Sequence, residues 1–346
     1  MVMDRRSLAA IVCAILLSTG GRGRAETVED FYRGRTLDLY IGFTAGGGYD
    51  LYARLVGRFL GEHIPGKPRI VAKQMTGAGS RVLTNFMYSV APKDGTALAT
   101  VDQSIALEQA IGDPGIQFDA SKFQWVGNPA ADNNTTATWA TTGVKTIEDA
   151  RRVEVVVGAT GANTSSQYPQ VMNSMVGTKF KIITGYPGGA DINLAMEKGE
   201  VGARGSNSWE GWKSTKPDWI KDGKLNILVQ IGLTKAPDLP DVPLLMDLAR
   251  NDEDRLALRL LSAPATIGRP LFTTPGTPAE RVHALRQAFE ATMKDPAFFE
   301  AARQAGLTIN PVRGDELQTI VDEIISAPKS VKERLAGILG VSERPR

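Results

Sequence analysis

The chain has 346 residues, of which 42% are hydrophobic and 23% charged, with 40 Lys and Arg against 38 Asp and Glu. That balance, with no basic run, gives no support to nucleic-acid binding, and a single cysteine excludes an intrachain disulfide. The length predicts about two domains, each able to bury a core.

The first 25 residues read as a secretory signal segment. Arg5 and Arg6 precede an apolar run of ten residues, 8–17, and small residues end the segment at Gly23-Arg24-Ala25. The run is too short to cross a bilayer, which needs about 20 residues. Removing residues 1–25 takes away four arginines and one aspartate and leaves 36 basic against 37 acidic residues. Cys13 lies in mid-run, away from the small residues of a lipid-anchor site, so the exported chain is expected to contain no cysteine. No later apolar run approaches membrane-spanning length.

Beyond the signal segment, short β-branched runs alternate with helical patterns, which predicts an α/β architecture with largely parallel sheets. Residues 36–43 read as a strand, 44–48 as a Gly-rich turn and 49–60 as a helix. A second strand is expected over 69–75, a second Gly-rich turn over 76–80, a helix over 81–90 and a third strand over 96–101. A new unit begins near Trp125. Strands follow over 154–158, 181–184, 201–203 and 225–231, with helices over 167–176 and 188–198. Near the C-terminus, Thr277 reads as an N-cap with Pro278 at the first helical position of a helix over 279–294. Asp295-Pro296 opens another helix, and residues 315–339 add one or two more.

The strongest candidate site is the segment Phe43-Thr44-Ala45-Gly46-Gly47-Gly48-Tyr49-Asp50. Its glycines permit close backbone approach, and the following helix start offers free N–H groups and a positive dipole end to a carboxylate or phosphate. A tight turn without a ligand explains the local sequence equally well. Gly77, Ala78, Gly79 and Ser80 repeat the arrangement at the next strand end, and parallel strands open onto a common edge. Asn163, Thr164 and Ser165 supply hydroxyl and amide groups after a strand in the second half, and Tyr186, Gly189 and Asp191 belong to a fourth glycine-rich turn. Any of these Ser and Thr side chains can equally serve as helix caps. Arg204, placed after the short 201–203 strand, suits bidentate carboxylate binding or a solvated loop. Trp209 and Trp212 either wall a pocket or pack in the core.

Enzyme signatures fail. Residues 61–67 have P-loop spacing, but Pro68 stands where Ser or Thr is required. No nucleophile-elbow pattern occurs, and His63 and His283 show no ligand spacing. Asn133-Asn134-Thr135 matches a glycosylation pattern common by chance. No catalytic residue, metal or cofactor is expected.

Several motifs then fall in a specific order. They are Phe31-Tyr32-Arg33-Gly34-Arg35-Thr36, Ala45-Gly46-Gly47-Gly48-Tyr49-Asp50, Thr76-Gly77-Ala78-Gly79, Ala91-Pro92-Lys93-Asp94-Gly95-Thr96, Gly185-Tyr186-Pro187-Gly188-Gly189-Ala190, Leu239-Pro240-Asp241-Val242-Pro243 and Pro275-Gly276-Thr277-Pro278. In this order they resemble the Bug (TctC-like) family, the substrate-binding proteins of bacterial tripartite tricarboxylate transporters. The resemblance implies a two-lobed periplasmic-binding-protein fold of type II, with the ligand cleft between the lobes. Lobe 1 would comprise residues 26–132 and 263–346, and lobe 2 residues 133–262. It implies a periplasmic monomer that takes a small carboxylate (a di- or tricarboxylate, an acidic amino acid or an aromatic acid) and delivers it to membrane transporter subunits. Backbone N–H groups of the two Gly-rich turns would hold one carboxylate. Gly202 departs from the aspartate that many members carry there, and Arg204, Trp209 and Trp212 are not carried over from the resemblance. A sensor module docking on a receptor kinase and an exported α/β hydrolase are the alternatives.

Overall fold

The computed structural model describes residues 26–341; the predicted signal segment and Cys13 lie outside them. Among the described residues, eleven strands form two sheets. The first contains β1 (Thr36–Ile41), β2 (Arg69–Gln74), β3 (Ala97–Thr100), β4 (Gln124–Asn128), β10 (Leu271–Thr273) and β11 (Val312–Arg313), in the order β11-β4-β10-β3-β1-β2. The second contains β5 (Asn134–Trp139), β6 (Val155–Gly158), β7 (Phe180–Ile183), β8 (Ala203–Ser208) and β9 (Leu225–Ile231), in the order β7-β6-β8-β5-β9. The chain leaves the first sheet after β4, builds the whole second sheet, and returns through β10.

β1 shows how local pattern becomes packing. Its alternation buries Leu37, Leu39 and Ile41 on one face. The helix Gly48–His63 turns Tyr52, Leu55, Val56 and Leu60 inward at helical spacing, so the chain re-enters beside β1 as the parallel strand β2. β3 pairs parallel on the other side of β1. The ends of β1, β2 and β3 therefore open on one edge. The helix Ala279–Thr292 packs on Gly48–His63 and on β4, where Phe289 occupies the space that a side chain at Gly127 would need. That close approach is why β4 carries a glycine.

The second sheet differs most from expectation. The strand read over 201–203 is Ala203–Ser208, so Arg204 lies within a strand and not in a loop. Its residues, Arg-Gly-Ser-Asn-Ser, have poor strand propensity. β8 is nevertheless the central strand, paired with β6 on one side and β5 on the other, and pairing overrides propensity there. The helix expected over 167–176 begins at Thr164, because Asn163 caps it by accepting from Ser165 N. It ends in a π turn, Met172–Val176. Thr277 does not cap the next long helix; its hydroxyl donates to Thr274 O at 3.0 Å, and the helix starts after Pro278. The helices Ile105–Ala110 and Asp252–Ser262 were not anticipated. Trp209 and Trp212 are absent from the lining of the cavity between the two sheets. They join Trp219 in the hydrophobic cluster behind β8, and Trp212 Nε1 donates to Thr135 Oγ1 at 3.0 Å.

Candidate functional site

A cavity of about 60 Å³ lies where loops of the two sheets meet. Of the residues expected at a site, Phe43, Gly47, Gly48, Tyr49, Asn163, Thr164, Ser165, Gly189 and Arg204 line it. The turn after β1 delivers the first of these. Asp50 is buried and accepts from Gly46 N at 3.0 Å and from Arg54 Nε at 2.7 Å, so it tightens the turn from behind and does not face the cavity. Gly46 takes a φ of +82°, which suits a residue without a Cβ. Phe43 stacks on Tyr49 with ring centroids 4.6 Å apart. The Tyr49 hydroxyl accepts from Gln103 N at 3.1 Å, and burial holds it well above the usual tyrosine range.

Three helix starts converge on this cavity: Gly48–His63, Thr164–Val171 and Gly189–Glu197. The caps at Gly47 and Gly188 make no side-chain hydrogen bond, so the first N–H groups of those two helices have no capping acceptor. Helix dipoles add positive potential at such starts. Gly47 lies so close to the other helix that a Cβ there would stand 4.0 Å from Gly189 N and Ala190 N.

β8 and β5 form the opposite wall. Arg204 donates through Nε to Ser206 O at 3.0 Å and through Nη1 to Asn193 Oδ1 at 2.9 Å, with its guanidinium 5.3 Å from the Trp212 ring centroid. Burial first, and then the positive Arg269, pull its pKa down to about 9, which leaves it charged at neutral pH. Arg269 is 7% exposed. It donates to Ala130 O at 3.5 Å and to Ser208 Oγ, above the Tyr52 ring. Among the described residues neither arginine forms an ion pair with a carboxylate; their partners are carbonyls, an amide and a hydroxyl. Asp132 also lines the cavity, accepting from Glu210 N at 2.7 Å, and burial pushes it up to about 6 against the pull of Arg269.

Contacts cross between the loops of the two sheets around this cavity. Thr44 Oγ1 donates to Asp191 Oδ2 at 2.8 Å, which places both residues in a clasp outside the cavity lining. Asp102 accepts from Thr164 Oγ1 at 3.1 Å and from Asn163 Nδ2 at 3.3 Å, and burial raises its pKa. Gln103 Nε2 donates to the Tyr168 hydroxyl at 3.1 Å.

The second Gly-rich turn takes another place than expected. Gly77, Ala78, Gly79 and Ser80 do not line the cavity. All four adopt positive φ, and a Cβ on Gly79 would lie 2.8 Å from Asn163 Nδ2. Ser80 Oγ accepts from Asp102 N at 2.9 Å. The turn thus supports Asp102 and Asn163 from behind. Ala45, Gly46 and Tyr186 also stand outside the lining, Tyr186 packing with Ile192 and its neighbours.

Sequence reading missed Asp102, Asp132, Asn134, Asn207, Ser208 and Arg269 as cavity residues. Asp102 follows β3 on the same edge as the glycine turns, so the strand-end rule alone points to it. Arg269 carries no local signal. The described residues contain no group of three or more His, Cys, Asp or Glu able to hold a metal ion, and no helix among them is long and apolar enough to cross a membrane.

Comparison with known proteins adds to this geometry. Residues 54–335 match the model of the "Tripartite tricarboxylate transporter family receptor". A relative from Cupriavidus necator, the "UPF0065 protein in gbd 5'region", is 23% identical over 340 residues, covering 96% of each chain. The periplasmic binding protein BugD superposes with a TM-score of 0.71 at 19% identity, covering 90% of this chain and all of that one. MatC from Rhodopseudomonas palustris, solved with bound malate, gives 0.68 at 18% identity, covering 88% of this chain and 99% of that one. R. palustris Rpa4515, solved with adipate, gives 0.67 at 20%, covering 89% and 98%. The fold is the mixed α/β, two-sheet fold of periplasmic binding proteins.

Proposed function

This chain belongs to the tripartite tricarboxylate transporter receptor family, and from that premise we propose that it is an exported, periplasmic solute-binding protein. It captures a small carboxylate and delivers it to the membrane subunits of its transporter. Residues 26–132 and 263–341 act as one lobe and residues 133–262 as the other, closing on the ligand as a hinge.

The observation that carries this reading is the pair Arg204 and Arg269, two guanidinium groups without a carboxylate partner in a cavity ringed by helix starts. Withdrawing charge from water costs several kcal/mol per ion unless an opposite charge compensates. An anionic ligand supplies that compensation and also accepts from the uncapped N–H groups after Gly47 and Gly188. The carboxylates bound to MatC and Rpa4515 agree with such a ligand. The reading assigns no catalytic step. His63 is engaged with Asp295 at 3.1 Å, His283 is exposed, and neither lines the cavity.

The test is thermal unfolding of residues 26–346 against di- and tricarboxylates, acidic amino acids and aromatic acids, with neutral sugars as controls. A ligand at 100 times its Kd adds about 2.7 kcal/mol of stability and raises Tm. A shift with one acid class that disappears in Arg204→Ala supports the reading. A flat carboxylate panel, or a shift that Arg204→Ala leaves intact, overturns it.

A further inference from the structure

We propose that Asp132 couples anion capture to a proton: as a carboxylate enters the cavity, the Asp132 carboxylate takes one proton from solution, so that affinity rises as pH falls. The inference rests on the carboxylate-binding reading above and deepens it by naming a regulation of that site. Among the described residues, four charged side chains line the cavity, Arg204 and Arg269 against Asp102 and Asp132. With both aspartates ionised these charges sum to zero, and a bound acid leaves the site net negative. A negative charge brought near a carboxyl group raises its pKa, and a group whose pKa rises on binding takes up a proton in doing so.

The two aspartates are held differently. Asp102 is 3% exposed and accepts from Ser104 N at 3.0 Å, Thr164 Oγ1 at 3.1 Å and Asn163 Nδ2 at 3.3 Å, three donors that favour its charged form. Asp132 lies on the 129–133 segment that joins β4 to β5 and is half-buried. Among the described residues it accepts from Glu210 N alone, at 2.7 Å. The charged and titratable groups that face it are Arg269, Glu210 and Lys213, with Tyr52 on the helix Gly48–His63. Glu210 is itself engaged by Lys213 and by the Thr308 hydroxyl. Burial, working against Arg269, already holds Asp132 up at about 6. An acid that draws on Arg269 weakens the attraction that keeps Asp132 ionised and adds a like charge beside it. Both effects push the same way, into the neutral range.

The experiment is calorimetric titration of residues 26–346 with malate, adipate, glutamate and benzoate at pH 6 and pH 8, for wild type and Asp132→Asn. At pH 6.5 each protein is also titrated in two buffers of different ionisation heat, which counts the protons taken up. A rise of about one unit in the Asp132 pKa, the low end for a nearby charge, gives wild type about half a proton per acid bound at pH 6.5. The same rise makes its affinity about fivefold higher at pH 6 than at pH 8. Asp132→Asn stands in for the protonated acid. It is expected to bind about tenfold more tightly than wild type at pH 8 and about twofold at pH 6, without proton uptake. Melting curves without ligand report whether it folds. Absence of proton uptake by wild type, which needs no variant, would overturn the inference. Uptake that persists in the folded variant, or weaker binding by that variant at pH 8, would overturn it too; each of these results leaves the carboxylate reading standing. Binding of none of the four acids by wild type would overturn that reading, and this inference with it.

Discussion

Replacing Gly189 with alanine isolates Arg204 without removing its charge. A Cβ at Gly189 would stand 2.8 Å from Arg204 Cζ and closer still to Nη2, so the guanidinium must leave its place. The backbone has no objection, because Gly189 is not among the glycines with positive φ. It opens the helix Gly189–Glu197, where alanine is preferred to glycine by up to about 1 kcal/mol. Stability should therefore hold while the site loses a charged donor. A hydrogen bond to a charged group contributes about 1.5–3 kcal/mol, which converts to a loss of roughly tenfold to 150-fold in affinity. Calorimetry with the panel acid that gives the largest thermal shift measures this loss, and a melting curve without ligand checks the fold. An affinity within twofold of wild type, at unchanged Tm, would refute the assignment of Arg204 to the ligand.

Three further outcomes are expected. Gly47→Phe places a ring between the helix starts at Gly48 and Gly189, since even its Cβ lies 4.0 Å from Gly189 N; binding should be lost in calorimetry while far-UV dichroism and Tm persist. Asp132 has its pKa raised to about 6 from 3.8 by burial, so the folded state binds its proton more tightly and stability falls as pH rises through about 4 to 6. Urea titrations should show Asp132→Asn gaining about 2–3 kcal/mol relative to wild type across that window, and a constant difference would refute the burial argument. Gly127→Ala forces β4 against the Phe289 ring and should cost about 1–3 kcal/mol in the same assay, whereas a neutral result would mean that the Ala279–Thr292 helix is loosely packed.

Much of the first sheet was legible because its signals are local. The Leu37, Leu39, Ile41 alternation, the glycines after it and the spacing of Leu55, Val56 and Leu60 each report on neighbours within a few residues. Bounds in the sequence reading ran two residues long at Ile41, three short at Thr164 and five short at Ser208, where a strand or helix end is set by pairing or capping. The ordered glycine and proline motifs pointed to the family that the 54–335 match shows.

Local sequence determined the edge onto which β1 and β2 open and the uncapped helix start at Gly48. Tertiary structure decided what faces it. Asn134, Arg204, Asn207 and Arg269 span more than a hundred positions and converge because β8 pairs between β6 and β5 and the chain then returns through β10. The second turn is glycine-rich in sequence like the first, yet it folds differently and packs against Asn163, outside the cavity lining. Trp212 and Arg204, eight positions apart, part company: the indole packs into the core and the guanidinium stays over its face at the cavity. Periodicity and turn chemistry act between near neighbours. A cavity wall is made by strand register and packing between distant segments, which local sequence does not encode.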